Sequence, residues 1–231
     1  MMRFGLIGHP LAGSGSPALF RDAYRDRYPY DLIEGSDFEK SWQAFLSGYQ
    51  AINITAPFKE AAYDRIEADG GSFGPECEAV GRAVNIAVKT DSGVMGRNSD
   101  YLGVRNLLIK EGFGRGDVAV VAGFGGAGKA AAAAARSLGM DVTVCNRTPY
   151  PGTRPLAELP ILAGVADILI YTLPQAVPEL EGLSVPAILE ANYRTPCLQG
   201  AAKKYIPGSQ WLKEQALAGY ALMTGEEPSS Y

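Results

Sequence analysis

The sequence predicts an α/β fold, and three observations carry that prediction. Strand-like apolar runs alternate with helical patterns along the chain. One segment, Asp117 to Thr148, reads without interruption as strand, glycine turn, helix and strand. The length, 231 residues, suffices for one large or two modest domains with ample core.

In chain order, Met2 to Gly8 reads as a short buried strand ending in glycine. The loop after it, His9 to Pro17, is rich in small and hydroxyl-bearing residues, and Ser16-Pro17 is expected to open a helix with Ser16 as N-cap and Pro17 at the first helical position. Ser14 and Ser16 could bind an anion there, or serve only to turn and cap the loop. Tyr30 to Ile33 is a second expected strand, and Asp37 to Gly48 a helix with Phe38, Trp42, Phe45 and Leu46 on one face. The strand from Ala51 must stop at Pro57, which cannot continue a hydrogen-bond ladder. That puts Thr55 and Lys59 just beyond a strand's carboxyl end, where open α/β sheets bind ligands, although a lysine before a helix such as Glu60 to Glu67 can also be simply solvated. Gly81 to Lys89 reads as a strand turned by Thr90-Asp91-Ser92-Gly93 into a return leg that ends in Asn98-Ser99-Asp100, ahead of a helix from Tyr101 to Lys110. Asp100 could cap that helix.

The Asp117 segment then supplies the strand Val118 to Ala122, glycines, an alanine-rich helix and the strand Val142 to Val144. Its Gly123, Gly125 and Gly128 form a GxGxxG in the context that gives the motif meaning. Gly123 allows the tight turn, Gly125 admits a pyrophosphate, and Gly128 lets the helix pack closely; Gly126 and Ala127 complete the loop. The helix N-terminus offers N–H groups to the anion. Where a unit binding NAD places an acidic residue after the second strand, this chain has Asn146, Arg147 and Thr148. A carboxylate would repel a 2′-phosphate and a guanidinium can grip it, so the expected cofactor is NADP. A βαβ unit whose glycines serve packing alone is the plainer alternative. Leu156 to Leu162 is expected as a short helix or turn, Asp167 to Thr172 and Ala187 to Tyr193 as strands, and Thr195 to Lys204 as a helix. A last helix, about Ser209 to Thr224, carries Gln215, and the tail from Gly225 to Tyr231 is expected to be loose.

Composition narrows the function classes. With 47% apolar and 20% charged residues and a net charge of −4, the chain carries no electrostatic footprint for nucleic acid or an anionic membrane. Cys77, Cys145 and Cys197 lack metal-ligand spacing and read as reduced thiols of a cytoplasmic protein. No run approaches the roughly 20 apolar residues of a membrane span, and the N-terminus has no signal-peptide pattern. His9 is the single histidine, so no His-rich metal site is expected.

Taken together, Ser14-x-Ser16-Pro17, Asn53-Ile54-Thr55-x-Pro57-x-Lys59, Ala83-Val84-Asn85 and Asn98-Ser99-Asp100 resemble the substrate motifs of the shikimate dehydrogenases. The GFGGAG loop and Asn146-Arg147-Thr148 resemble that family's NADP loop and 2′-phosphate clamp, and Trp211-Leu212-Lys213-Glu214-Gln215 its closing segment. The chain departs from the pattern at Gly13, where a histidine is usual, at Phe20-Arg21 in place of His-Asn, at Ile86 and Ser99 in place of threonines, and in a compressed segment after Thr148.

The resemblance implies a substrate-binding lobe over residues 1 to 100, with 208 to 231 folding back onto it, and a Rossmann-type NADP-binding domain over 101 to 207, with a cleft between them. It implies an NADP-dependent oxidoreductase interconverting 3-dehydroshikimate and shikimate in aromatic amino acid biosynthesis. A paralogue acting on quinate or another polyhydroxy acid, or a non-catalytic NADP-binding regulator, are the alternatives. Lys59 would be the proton donor and Asp100 its partner; a lysine that must shed its proton in the oxidative direction makes alcohol oxidation faster as pH rises. Ser14 and Ser16 would hold the substrate carboxylate, and Thr55, Asn85, Asp100 and Gln215 its hydroxyls. Tyr193 would lie over the nicotinamide, or else pack into the core as an aromatic at a strand end. The expected partners are the small-molecule substrate alone, with no nucleic acid or membrane, for a monomer or homodimer.

Overall fold

A computed structural model describes residues 1 to 229. The chain forms two compact units, one running from Met1 to Ser99 and resuming at Ala216, the other from Asp100 to Gln215.

The first unit contains β1 (Phe4–Gly8), α1 (Ser16–Tyr24), β2 (Tyr30–Glu34), α2 (Phe38–Gly48), β3 (Ala51–Ile54), α3 (Lys59–Ala68), β4 (Ser72–Phe73), α4 (Pro75–Val80), β5 (Ile86–Thr90) and β6 (Gly93–Arg97). Its six-stranded sheet has the order β2-β1-β3-β5-β6-β4. β1 runs parallel to β2 and β3, whereas β5 pairs antiparallel with β3 and β6. Alternating side chains feed two cores. Phe4, Leu6 and Ala51 join Phe20, Tyr220 and Met223 on one face, while Ile7, Ile52 and Ile54 join Trp42, Phe45 and Ile66 on the other. The expected apolar face of α2 is realised, with Asp37 as its cap accepting from Lys40 N at 3.1 Å.

The second unit begins within α5 (Ser99–Lys110) and continues through β7 (Val118–Ala122), α6 (Gly126–Ser137), β8 (Asp141–Asn146), β9 (Arg154–Pro155), a 3-10 turn at Leu156–Glu158, α7 (Leu159–Ala163), β10 (Ile168–Tyr171), β11 (Val185–Glu190), β12 (Ala202–Ile206) and the first part of α8 (Gly208–Thr224). All its strand pairs are parallel, in the order β12-β11-β10-β7-β8-β9. Counted within the unit this is 3-2-1-4-5-6, the dinucleotide-binding order, and the direction reverses between β7 and β10. Both sheet faces are covered: Ala119, Val121, Ile168 and Ile170 point into one core, Val120, Ala122, Leu169 and Tyr171 into the other.

Several expectations are corrected. The cap of α1 is Gly15, with Ser16 the first helical residue, so the Ser16 hydroxyl is not spent on capping. Residues 81 to 85 are not strand: α4 ends at Gly81 with φ +67, Arg82 follows at φ +43, and the ladder resumes at Ile86. Lys59, Ser99 and Asp100 lie inside helices rather than ahead of them. No helix runs from Thr195 to Lys204. The chain crosses a loop, turns at Gly200 with φ +83 and enters β12, whose backbone pairs with β11. The tail is anchored as far as it is described, since Tyr24 Oη donates to Glu226 O at 3.0 Å and Ser229 N to Ala23 O at 3.0 Å; the last two residues of that expectation lie outside the described residues. Among the described residues no helix is long and apolar enough to cross a membrane.

Candidate active site

In the first unit, backbone hydrogen bonds gather the segments that carry the motifs. His9 N donates to Ala56 O at 3.1 Å, tying the serine loop after β1 to the turn after β3. Thr55 N donates to Ile7 O at 3.0 Å, and Phe58 N closes the turn on Thr55 O at 3.0 Å. Gly8 is needed at this crossing, because a Cβ there would meet the Thr55 side chain and, at 3.1 Å, Ala56 O. Val84 N then donates to Lys59 O at 3.3 Å, and Ile54 N to Asn85 O at 2.8 Å. Ser14, Ser16, Thr55, Lys59 and Asn85 therefore all sit on segments joined at the carboxyl ends of β1 and β3. The serine and threonine side chains and Lys59 are half-buried, which leaves each partly open to a ligand.

Asn85 is 6% exposed and reads Ser99 with both ends of its amide. Its Oδ1 accepts from Ser99 N at 2.8 Å and its Nδ2 donates to Ser99 Oγ at 3.2 Å. Nearby, the buried Glu76 carboxylate accepts from Arg97 and from Asn98 N, and Asn98 Nδ2 donates to Ala83 O at 2.8 Å. A buried network with its members paired fixes its geometry, and this one fixes the backbone entering α5. Two residues missed from the sequence complete the cluster. Tyr30 Oη donates to Asn53 Oδ1 at 2.8 Å, and Tyr220 Oη to Ser16 O at 3.2 Å. Burial, reinforced by the neighbouring Tyr220 phenol, pushes the Tyr30 hydroxyl well above its ordinary range, while its Ser16 contact opposes the shift. Only the asparagine in the Asn53 motif hinted at a buried polar partner for Tyr30.

In the second unit, Asp100 is the second residue of α5 and half-buried, and its carbonyl accepts from Trp211 Nε1 at 3.3 Å. Gln215 packs its backbone on Gly103, where a Cβ would come within 2.6 Å of Gln215 N.

The glycine loop follows β7 at the switch point of the sheet. Gly123 has φ +99, and a Cβ there would meet Thr172 Oγ1 at 2.6 Å; Thr172 itself donates to Ala122 O at 2.8 Å. At Gly128 a Cβ would collide with Gly123 O and meet Gly123 C at 2.7 Å, so helix and turn are in backbone contact. Gly125 and Gly126 are different: a Cβ on either would meet nothing within 4 Å. Space is thus open in front of the first turn of α6, whose cap Gly125 offers no side-chain acceptor. Those first-turn N–H groups, with the helix dipole, suit a pyrophosphate, so the residues present fit a dinucleotide. Asn146 braces the loop, accepting from Phe124 N at 3.2 Å and donating to Thr148 O at 2.9 Å. Arg147 and Thr148 are exposed. Tyr193 is 46% exposed on the loop after β11, so it is not packed into the core. That loop is held by Glu190, fully buried, which accepts from Cys197 N at 2.7 Å, Leu198 N at 3.1 Å and Tyr205 Oη at 2.7 Å. Among the described residues no cluster of His, Cys, Asp and Glu could hold a metal.

No protein-family profile matches the chain. Individual relatives do. It is 30% identical to the NADP-dependent shikimate dehydrogenase of Natronomonas pharaonis, over 96% of this chain and 93% of that protein. It is 29% identical to that of Archaeoglobus fulgidus, over 99% of this chain and 94% of the relative. Among solved structures, shikimate 5-dehydrogenase from Thermus thermophilus in complex with shikimate superposes with a TM-score of 0.83 at 27% identity, covering 99% of this chain and 95% of the other. The same enzyme in complex with NADP(H) and shikimate gives 0.81 over the same coverage. Sequence likeness sustained along nearly the whole of both chains, on a shared fold, places this protein in the shikimate dehydrogenase family.

Proposed function

We propose that the protein is an NADP-dependent oxidoreductase that reduces 3-dehydroshikimate to shikimate and runs the reaction in reverse. The observation that carries the reading is near-full-length likeness to NADP-dependent shikimate dehydrogenases, including one solved with both NADP(H) and shikimate. The local geometry supports it: a dinucleotide-type sheet with open space before a helix N-terminus, and a separate convergence of serine, threonine, lysine and asparagine segments at one sheet end.

When bound, NADPH supplies the hydride. Gly123, Gly125, Gly126, Ala127 and Gly128 would hold its pyrophosphate, Asn146, Arg147 and Thr148 its 2′-phosphoribose, and Tyr193 would border its nicotinamide. Ser14 and Ser16 hold the substrate carboxylate, and Thr55, Asn85 and Gln215 its hydroxyls. Lys59 donates the proton that converts the developing alkoxide to the alcohol, and Asp100 accepts a hydrogen bond from a substrate hydroxyl. Because such a site leaves buried polar groups unpaired when a hydroxyl is missing, it discriminates strongly against deoxy analogues. The protein acts in the cytoplasm without nucleic acid or membrane, a reading supported by its free cysteines among the described residues and its modest negative charge, and it works as a monomer or homodimer.

The test is nicotinamide absorbance with purified protein, NADP or NAD, and shikimate, with quinate in parallel. Rapid NADP reduction by shikimate and little by quinate is expected. Turnover with quinate alone would transfer the reading to a quinate enzyme, and tight NADP binding without turnover on either acid would overturn the enzymatic reading.

A further inference from the structure

The turn that carries Arg147 sits beside a second cation. Phe124, inside the glycine loop, packs against Tyr150, just past Thr148, with ring centroids 5.1 Å apart and planes at 54°. Lys129, on the first turn of α6, places its Nζ 5.9 Å from the Phe124 centroid and 5.8 Å from that of Tyr150. Two rings at equal distance orient the ammonium by cation–π attraction without consuming its N–H donors. Among the described residues neither Lys129 nor Arg147 has a carboxylate within ion-pair reach. Arg154, by contrast, is neutralised by Glu158, its Nε donating at 2.7 Å. Asn146 ties this arrangement together, since it accepts from Phe124 N and donates to Thr148 O, linking the loop that carries the rings to the turn that carries the guanidinium.

We propose that Lys129 is the second cation for the cofactor's 2′-phosphate, and that the Phe124–Tyr150 pair forms the shelf for its adenosine end. The inference rests on the dinucleotide reading above and extends it. Two uncompensated cations beside the loop match a phosphate dianion, which each can grip by charge-assisted hydrogen bonds. Half of Tyr150 remains open to solvent, leaving aromatic surface on which a purine can stack. The lysine and the rings thus divide the work: the ammonium distinguishes NADP from NAD, and the rings serve both.

The experiment is equilibrium titration of the full chain with NADP, NAD, 2′-AMP and 5′-AMP, read by calorimetry. Lys129→Met keeps the apolar stem over the rings and removes the charge. It should raise the Kd for NADP and 2′-AMP about tenfold while changing NAD and 5′-AMP less than about twofold. Tyr150→Ala should weaken NADP and NAD alike, by about fivefold or more. Equal effects of Lys129→Met on NADP and NAD, or no effect, would overturn the proposal. Arg147→Ala separates the two levels. If it discriminates NADP from NAD while Lys129→Met does not, the lysine inference alone falls; if neither discriminates, the 2′-phosphate reading of the whole turn falls with it.

Discussion

Alanine at Gly128 and at Gly125 should fail in different ways, because one glycine is closed in by backbone and the other faces open space. At Gly128 the new Cβ would collide with Gly123 O and lie 2.7 Å from Gly123 C and 3.1 Å from Thr172 Oγ1. The backbone atoms cannot rotate away, and Gly123 at φ +99 yields only by opening the turn. Overpacking costs about 1–3 kcal/mol, and backbone obstruction puts this case near 3. At about 2–4 °C per kcal/mol for a chain of this size, Tm should fall by about 6–12 °C. At Gly125 φ is −75°, which alanine adopts freely, and nothing lies within 4 Å. The fold loses at most a cap preference of about 1 kcal/mol, or about 2–4 °C. Its NADPH affinity, however, should fall at least tenfold, equivalent to about 1.4 kcal/mol, because the added methyl would fill the space proposed for the pyrophosphate. Thermal unfolding without ligand, paired with NADPH fluorescence titration, reads both quantities. Parental NADPH affinity in Gly125→Ala would refute the assignment of that space, and an unchanged Tm in Gly128→Ala would refute the packing argument.

Lys59→Ala should lower turnover with shikimate by about a hundredfold or more while leaving NADPH affinity intact, the range expected for a lost proton donor; turnover within about threefold of the parent removes Lys59 from that role. Burial pushes the Cys77 thiol up to about 12 and Cys145 up to about 11 from an ordinary 9.0. The folded chain therefore keeps protons that the unfolded chain sheds above about pH 9, so the urea midpoint should drop steadily from there towards pH 12. A midpoint that rose over that interval would contradict the sign. Cys197 is exposed as a residue, yet partial burial of its sulfur and a hydrogen bond to Glu190 push its thiol up to about 11. Its alkylation should be slow at pH 7 and climb about tenfold per pH unit, which rapid labelling at neutral pH would disprove. Glu190→Gln turns an amide N–H₂ towards donors already aimed at the site, costing about 1–3 kcal/mol, and an unchanged Tm would strip the carboxylate of its loop-holding role.

The second unit was the more legible because its signals are local. β-branched runs, three glycines and a strand end at Asn146 fall within thirty-odd residues, and the structure forms strand, turn, helix and strand there. The same local reasoning failed at Thr195-Pro196. Those residues resemble a helix start, but the Asn192 side chain accepts from Thr195 N at 3.1 Å and Glu190 gathers the next two N–H groups, and the following chain satisfies its backbone on β11. Ser16 was misplaced by one position because either Gly15 or serine can stand at a helix entry, and nothing in the sequence chooses between them. Asn85, Thr55 and Lys59 could be named from the family resemblance, yet the bonds that join their segments run between backbone groups and leave no mark on residue type. Tyr30 and Tyr220 escaped for a related reason: their partners lie 23 and 204 positions away in sequence.

The discontinuity of the first unit bears on how the protein is born. Its strands are translated first, but one of its cores is closed by Tyr220 and Met223, with the Tyr220 ring 4.9 Å from that of Phe20. Every residue of the other unit is delivered before Ala216. On the ribosome the later-made unit can therefore finish first, while Phe20 and its aromatic neighbours wait, uncovered, for α8 to emerge.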